Sequence, residues 1–555
     1  MLVVKGLHIG FRRGDTVHEV LKNISFQLER NQILGVVGES GSGKSLASLS
    51  LIGLLPENAV TKGEILFQGI DLLKLKQKNL RKIRGNKIGM IFQEPMSSLN
   101  PTMTCGEQIA EVLKHHGTLK KIPIKEHVIS LFEKVKLPRP QDIFTSYPHQ
   151  ISGGQKQRVM IAMAIACQPD ILIADEPTTA LDVTVQREII TLLKELQSEI
   201  KMGILFISHD LSLVSEIADT VIVLRKGVLV EEGTATSIFK NPQKEYTKAL
   251  INAKPRLDRR LKLLPTVMDF ANHEISLCEY TTEERVRFHQ KLYSGTPLLE
   301  IRNLKKYYQK NSWFSRDKDI KAVNGVSFTL YEGETLGLVG ESGCGKTTLG
   351  RTIIHLEQSS GGSMIYKGKD ITRLNSSELK GLRKEIQVIF QDPFSSLNPR
   401  ITIGSTILEP MIVHNILSNN AERKSYVLDL LEKVGLKKEH YNRYPHEFSG
   451  GQRQRIGIAR VIALRPKLII CDESVSALDV SVQAQVLNLL NSLKEEFNFS
   501  YIFISHDLSV VKHMSDQLAV MNQGKIEEIG DADMIYYSPK SNYTKTLIDA
   551  IPKGL

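Results

Sequence analysis

Two eight-residue strings carry the most chemistry. Gly38 to Ser45 reads GESGSGKS, and Gly340 to Thr347 reads GESGCGKT. Glycines at Gly38, Gly41 and Gly43, and again at Gly340, Gly343 and Gly345, let successive backbone N–H groups curl around phosphate oxygens. A helix starting directly afterwards adds a favourable dipole. On this reading Lys44 and Lys346 reach the β- and γ-phosphates. The hydroxyls of Ser45 and Thr347, with Thr348 beside the latter, complete the loop, and Ser45 and Thr347 ligate magnesium. Asp175 and Asp472 each end an apolar run, where a carboxylate can hold magnesium directly or through water. Glu176 and Glu473 come next, placed to polarise an attacking water as general bases. His209 and His506 stand 33 residues beyond those glutamates (209 − 176, 506 − 473), where a γ-phosphate would sit.

These residues need a scaffold, and the chain supplies it twice. Asp175 and Asp472, Ser152 and Ser449, and His209 and His506 are each 297 positions apart (472 − 175, 449 − 152, 506 − 209). A period of that length duplicates a whole domain, whereas solenoid units run ~20–50 residues. Short apolar runs, QILGVV at 32–37 and ETLGLV at 334–339, lead into the Gly-rich strings. Helix-compatible stretches follow them, and strand, turn, helix is the context a phosphate loop requires. Residues 171–174, 204–207, 468–471 and 501–504 read as fully buried strands of a mainly parallel sheet. The fold class is α/β in duplicate: residues 1–254, a linker at 255–297 crossing the surface, and residues 298–555. Strings NPQKEYTKALI at 241–251 and SPKSNYTKTLI at 538–548 give each domain the same terminal appendix.

Composition narrows the classes. The 555 residues are 41% hydrophobic and 24% charged, with a formal net charge of +11. Basic residues are interspersed with acids, so solvated surface explains the surplus better than a nucleic-acid or lipid footprint. Five cysteines, Cys105, Cys167, Cys278, Cys344 and Cys471, form no CxxC pair, against zinc, iron–sulfur clusters and structural disulfides. A reducing cytosol fits. No signal-peptide pattern opens the sequence, and no stretch approaches the ~18–20 apolar residues of a spanning helix.

The strings together resemble the ATP-binding cassette (ABC) superfamily along nearly the whole chain. SGGQ at Ser152, Gly153, Gly154 and Gln155, and at Ser449, Gly450, Gly451 and Gln452, matches that family's signature. Gln93 and Gln391 match its glutamine-loop residue, a magnesium contact, and ALDV at 180–183 and 477–480 matches the loop joining two active sites. The resemblance implies head-to-tail pairing of the domains. Lys44, Glu176 and His209 would then work with Ser449, Gly450 and Gly451. Lys346, Glu473 and His506 would work with Ser152, Gly153 and Gly154. Phe11 and Tyr308, with Tyr307 as an alternative, are the aromatics expected to stack on adenine. Departures are mild: Ile151 and Phe448 stand where leucine is usual, and Ser474 replaces the proline found at 177.

Within the superfamily, Q[ED]PxxSLNPxxT at 93–104 and 391–402, the YPHxxSGGQ strings and the terminal appendix resemble the peptide/nickel importer branch. The one-chain form is similar to fused ATPases of microcin/oligopeptide and glutathione importers. That implies two composite sites for ATP and Mg²⁺, an ATPase, two integral membrane permeases and a substrate-binding protein as partners. It also implies peripheral attachment at the cytoplasmic face of the inner membrane, with 94–104 and 392–402 as permease contacts and no nucleic acid. The alternative is a soluble tandem cassette acting on ribosomes or nucleic acid, whose usual long basic arm is replaced here by the mixed-charge 255–297. Dipeptide, oligopeptide, peptide antibiotic, glutathione and nickel complex all stay open as solute.

Overall fold

The computed structural model describes residues 1–555 except 118–122, 180, 272–277, 310–318, 393–395, 477, 553 and 555, without side chains at 95, 96, 268 and 271. Ala180 and Ala477 of the ALDV strings, and 393–395 of the second post-glutamine segment, therefore lie outside the described residues. Contacts divide the chain into Met1–Ile251 with Phe270–Asn272 and Pro552–Leu555, and Asn252–Asp269 with His273–Ile551.

The first unit holds β1 (Leu2–Arg13), β2 (Thr16–Leu28), β3 (Ile33–Gly38), β4 (Ala59–Phe67), β5 (Ile70–Asp71), β6 (Ile88–Ile91), β7 (Ile171–Asp175), β8 (Gly203–Ile207), β9 (Thr220–Arg225) and β10 (Val228–Thr234). One antiparallel sheet runs β2-β1-β4-β5. The other runs β10-β9-β3-β8-β7-β6, parallel except for β10. Strands β3, β7 and β8 are buried at every position, which suits their continuous Ile, Leu and Val. Ile207 of β8 pairs with both Val36 of β3 and Asp175 of β7, so three strands end together. Their loops meet at one carboxyl edge, the usual ligand edge of such sheets.

The second unit repeats the plan with β11 (Pro297–Tyr308), β12 (Ile320–Tyr331), β13 (Thr335–Val339), β14 (Gly361–Tyr366), β15 (Lys369–Asp370), β16 (Ile386–Ile389), β17 (Leu468–Asp472), β18 (Ser500–Ile504), β19 (Gln517–Asn522) and β20 (Lys525–Asp531). Its sheets run β12-β11-β14-β15 and β16-β17-β18-β13-β19-β20. Ile504 pairs with Leu338 and Asp472, repeating the common edge.

The segment 255–297 does more than cross a surface. Leu261 and Leu264 are buried in the second unit's core, and Thr282–Tyr293 is a helix started by a Thr281–Glu284 capping box. Asn488 reads the Leu264 backbone at both ends, accepting from its N–H at 2.9 Å and donating to its carbonyl at 2.7 Å. Those partners lie 224 positions apart, so the local pattern shows only prolines and charges.

Candidate functional site

Each phosphate loop is shaped by positions where only glycine fits. Gly38 and Gly340 adopt φ of 151° and 149°, and a Cβ at either would overlap the carbonyl of Leu224 or Met521. The loops then run into helices Lys44–Leu51 and Lys346–Ile353, whose first residues are the two lysines. Both lysines are buried. Lys44 Nζ donates to the carbonyls of Gly38 at 2.7 Å and Glu39 at 3.0 Å. Lys346 does the same to Gly340 at 2.6 Å and Glu341 at 2.9 Å. The ammonium is thus folded against its own loop. Gly41 and Gly343, at the crown, face open space. Cys344 takes the place of Ser42, its Sγ 3.8 Å from Lys346 Nζ, as a buried small residue.

The loop hydroxyls point at the strand-end carboxylates. Ser45 Oγ donates to Asp175 at 3.3 Å and Thr347 Oγ1 to Asp472 at 2.9 Å. Burial pushes both aspartate carboxyls up, with the hydroxyls and the loop lysines opposing. A desolvated carboxylate beside a hydroxyl is a fitting place for a divalent cation, whose charge offsets the desolvation. Among the described residues no group of three or more His, Cys, Asp or Glu could hold a metal. A magnesium at Ser45–Asp175 or Thr347–Asp472 would draw its remaining ligands from phosphate and water, as this ion commonly does.

One step beyond each aspartate the chain turns through a positive φ, 48° at Glu176 and 47° at Glu473. This left-handed turn swings the glutamate toward the sheet edge, where three residues gather on it. Gln93 Nε2 donates to Glu176 at 2.9 Å, Thr179 Oγ1 donates at 2.9 Å, and His209 Nδ1 stands at 3.1 Å. Burial alone would raise the Glu176 carboxyl, but His209, Thr179 and Lys44 more than offset it and hold it at about 2. In the second unit Gln391 donates to Glu473 at 2.7 Å and His506 Nδ1 lies at 3.7 Å. The neighbouring His506 outweighs burial there and keeps Glu473 below the ordinary carboxylate range. Both glutamates are therefore ionised at neutral pH, the state a proton acceptor needs.

Thr179 was not singled out from the sequence, although its place three residues after Glu176 on the same turn was a usable signal. Its counterpart differs: Ser476 donates to the Glu473 backbone carbonyl at 3.0 Å. The signature residues occupy helix starts of their own. Ser152 caps Gly153–Ile165 in a capping box with Gln155, and Ser449 caps Gly450–Ile462 with Gln452. These leave Gly153, Gly154, Gly450 and Gly451 in the first helical turn, where backbone N–H groups lack intrahelical partners. Ile151 and Phe448 are buried just before those caps, anchoring them with the bulk leucine would provide. Phe11 and Tyr308 stand half-buried at equivalent ends of β1 and β11, in the antiparallel sheets. Tyr308 carries Lys306 Nζ 4.9 Å from its ring, while Tyr307 is engaged with Asn324 at 2.8 Å.

Comparison with known proteins identifies the family. The family model described as "ABC transporter" matches residues 21–179 and 323–476, and "Oligopeptide/dipeptide transporter, C-terminal region" matches 230–281. The glutathione import ATP-binding proteins GsiA of Escherichia coli and Shigella boydii are each 46% identical over 562 aligned positions, covering 100% of this chain and 89% of theirs. A solved dimeric ATP-binding cassette, MJ0796 bound to ADP and Pi, is 27% identical, covers 42% of this chain and 98% of its own, and aligns with a TM-score of 0.39. Two matched cassettes in one chain, with full-length relatives of the same kind, establish that the protein belongs to the ABC transporter family.

Proposed function

We propose that this chain is the ATP-hydrolysing subunit of an importer for peptides or related small solutes, with two working sites that each draw on both cassettes. One observation carries the two-site reading: both copies keep the full set of buried loop lysine, hydroxyl–aspartate pair and glutamine–glutamate–histidine cluster. Lys44 and Lys346 exchange their loop carbonyls for β- and γ-phosphate oxygens. Ser45 with Asp175, and Thr347 with Asp472, hold magnesium, which supplies charge neutralisation on the phosphates. Gln93 and Gln391, which donate to Glu176 and Glu473, would join those magnesium sites. Ionised Glu176 and Glu473 accept the proton of the attacking water, and His209 and His506 orient it against the γ-phosphate. The N–H groups of Gly450 and Gly451 close the first site, and those of Gly153 and Gly154 the second, with Ser449 and Ser152 as further donors. Phe11 and Tyr308 stack on adenine.

Among the described residues no helix is long and apolar enough to cross a membrane. The translocation path belongs to partner permeases. Residues 94–104 and 392–402 meet those permeases at the cytoplasmic face of the inner membrane. Beside the second segment, a groove of about 380 Å³ lined by Phe390, Pro410, Val413 and Arg460 adds to that contact surface. The relatives' glutathione makes small peptides the first solutes to test, delivered by a substrate-binding protein.

The test is ATP turnover of the chain co-purified with its membrane partners. Removal of a general base costs ~10²–10⁴-fold at its site, so Glu176→Gln and Glu473→Gln should each cut turnover to about half or less. Together they should leave about 1% or less. Unchanged turnover in either single variant would end the two-site reading. Recovery of ribosomal subunits in place of integral membrane proteins would end the importer reading.

A further inference from the structure

The short helices that follow the two histidines end differently. Helix Leu211–Ile217 begins two residues after His209, and its last turn is met by Lys194 Nζ, which donates to the Glu216 carbonyl at 2.5 Å. In the second unit position 194 corresponds to Asn491 (491 − 194 = 297), which carries no charge. There helix Leu508–Met514 begins two residues after His506, and its carbonyls are taken by an outside residue. Arg260, from the segment between the cassettes, donates through Nη2 to the carbonyls of Lys512 and of Ser515, the latter at 2.7 Å.

The surface that receives this segment is found in the second cassette alone. Arg285 pairs with Asp531 at 3.0 Å and with Asp533, whose counterparts in the first unit are Thr234 and Thr236. Lys512 donates to the Leu257 carbonyl, and its counterpart is Ser215. Asn488, which holds the Leu264 backbone, corresponds to Thr191. Four receiving positions thus differ between the copies, and each difference supplies a partner to the segment.

We infer that residues 256–269 and 278–293 are a dedicated strap of the second cassette, and that Arg260 is a positioning residue that replaces the missing lysine cap and braces the helix that follows His506, holding that histidine toward Glu473. The route is short. Arg260 fixes the helix end, and Asp507 fixes its start through the Ser509 N–H at 2.9 Å. His506 is the next residue. A cation at a helix C-terminus meets both the unpaired carbonyls and the dipole. The inference rests on the proposed role of His506, yet the strap itself can be read without nucleotide.

Amide hydrogen exchange of the nucleotide-free full chain gives that reading. Losing a charged donor to backbone carbonyls should raise exchange at Leu508–Ser515 about tenfold or more in Arg260→Ala, with Leu211–Ile217 unchanged. Adding Asn491→Lys, the first cassette's own solution, should restore protection. Charge exchange, Arg285→Asp with Asp531→Arg, should likewise recover protection of Thr281–Tyr293 lost in Arg285→Asp alone. Unchanged exchange in Arg260→Ala, or an equal rise at Leu211–Ile217, would overturn the inference. Steady-state turnover then links the strap to chemistry: Arg260→Ala should lower kcat toward, and not beyond, the level reached by Glu473→Gln at constant KM, and Asn491→Lys should restore it. A kcat unaffected by loss of the strap contact would overturn the positioning role. Absence of turnover in the unaltered complex would instead overturn the proposed function, leaving the exchange result to decide the strap.

Discussion

Glu334, one residue before β13, is fully buried. Burial pushes its carboxyl up to about 7 from an ordinary 4.5, and Asp516 adds to the rise against donors at the Tyr331 N–H and Tyr293 and the charge of Lys494. Between those two values the folded chain holds a proton that the unfolded chain has released. Stability therefore falls as pH rises through that window and stays lower above it. The perturbation to make is Glu334→Gln, because the first cassette already has glutamine there. Gln32 Oε1 accepts from the Glu29 N–H at 2.9 Å, as Glu334 accepts from Tyr331 at 2.7 Å, and Gln32 Nε2 donates to Thr220 at 3.1 Å. The amide keeps the backbone bond and removes the ionisable group. From the displaced carboxyl the gain is up to about 3 kcal/mol at pH 8, about 1 kcal/mol at pH 5 and close to nothing at pH 4. Exchange of the β13 amides in the full chain, corrected for intrinsic rates, measures it at each pH. A gain of equal size at pH 5 and pH 8, or a loss at pH 8, would refute the reasoning.

The phosphate loops give two further predictions. Lys44→Ala removes a cation whose donors are all committed to the loop and its ligand, so ATP affinity at the first site should fall by about tenfold or more. Lys346→Ala should do the same at the second, and equilibrium binding of a fluorescent ATP analogue should resolve two independent losses. Chelation of divalent cations should abolish turnover while the strap's hydrogen-exchange pattern stays fixed, because the strap contacts at Arg260, Leu264 and Arg285 join protein groups to one another. Turnover surviving in excess chelator would contradict the Ser45–Asp175 and Thr347–Asp472 assignment.

Sequence carried the loops well because their logic is local. A glycine at a positive φ, a lysine directly after it and a buried apolar strand before them all sit within a dozen positions. The capping boxes at Ser152 and Ser449 were legible for the same reason, since serine and glutamine three apart satisfy each other. Gln93 and His209 needed the sheet order to be brought onto Glu176, and β7 lying between β6 and β8 supplies it. The strap was hidden. Its partners Lys512, Asp531 and Asn488 lie more than 220 positions away, and only their divergence from Ser215, Thr234 and Thr191 marks them. A repeat is most informative where its copies disagree.

The central claim is that each cassette's phosphate loop is completed by the signature serine and glycines of the other. The most direct measurement is a structure of the Glu176→Gln, Glu473→Gln chain with Mg·ATP bound. The account predicts the γ-phosphate of the Lys44 loop within hydrogen-bond reach of Ser449 and Gly451, and that of the Lys346 loop within reach of Ser152 and Gly154. Either triphosphate bound with its facing signature turned to solvent in the closed state would contradict it.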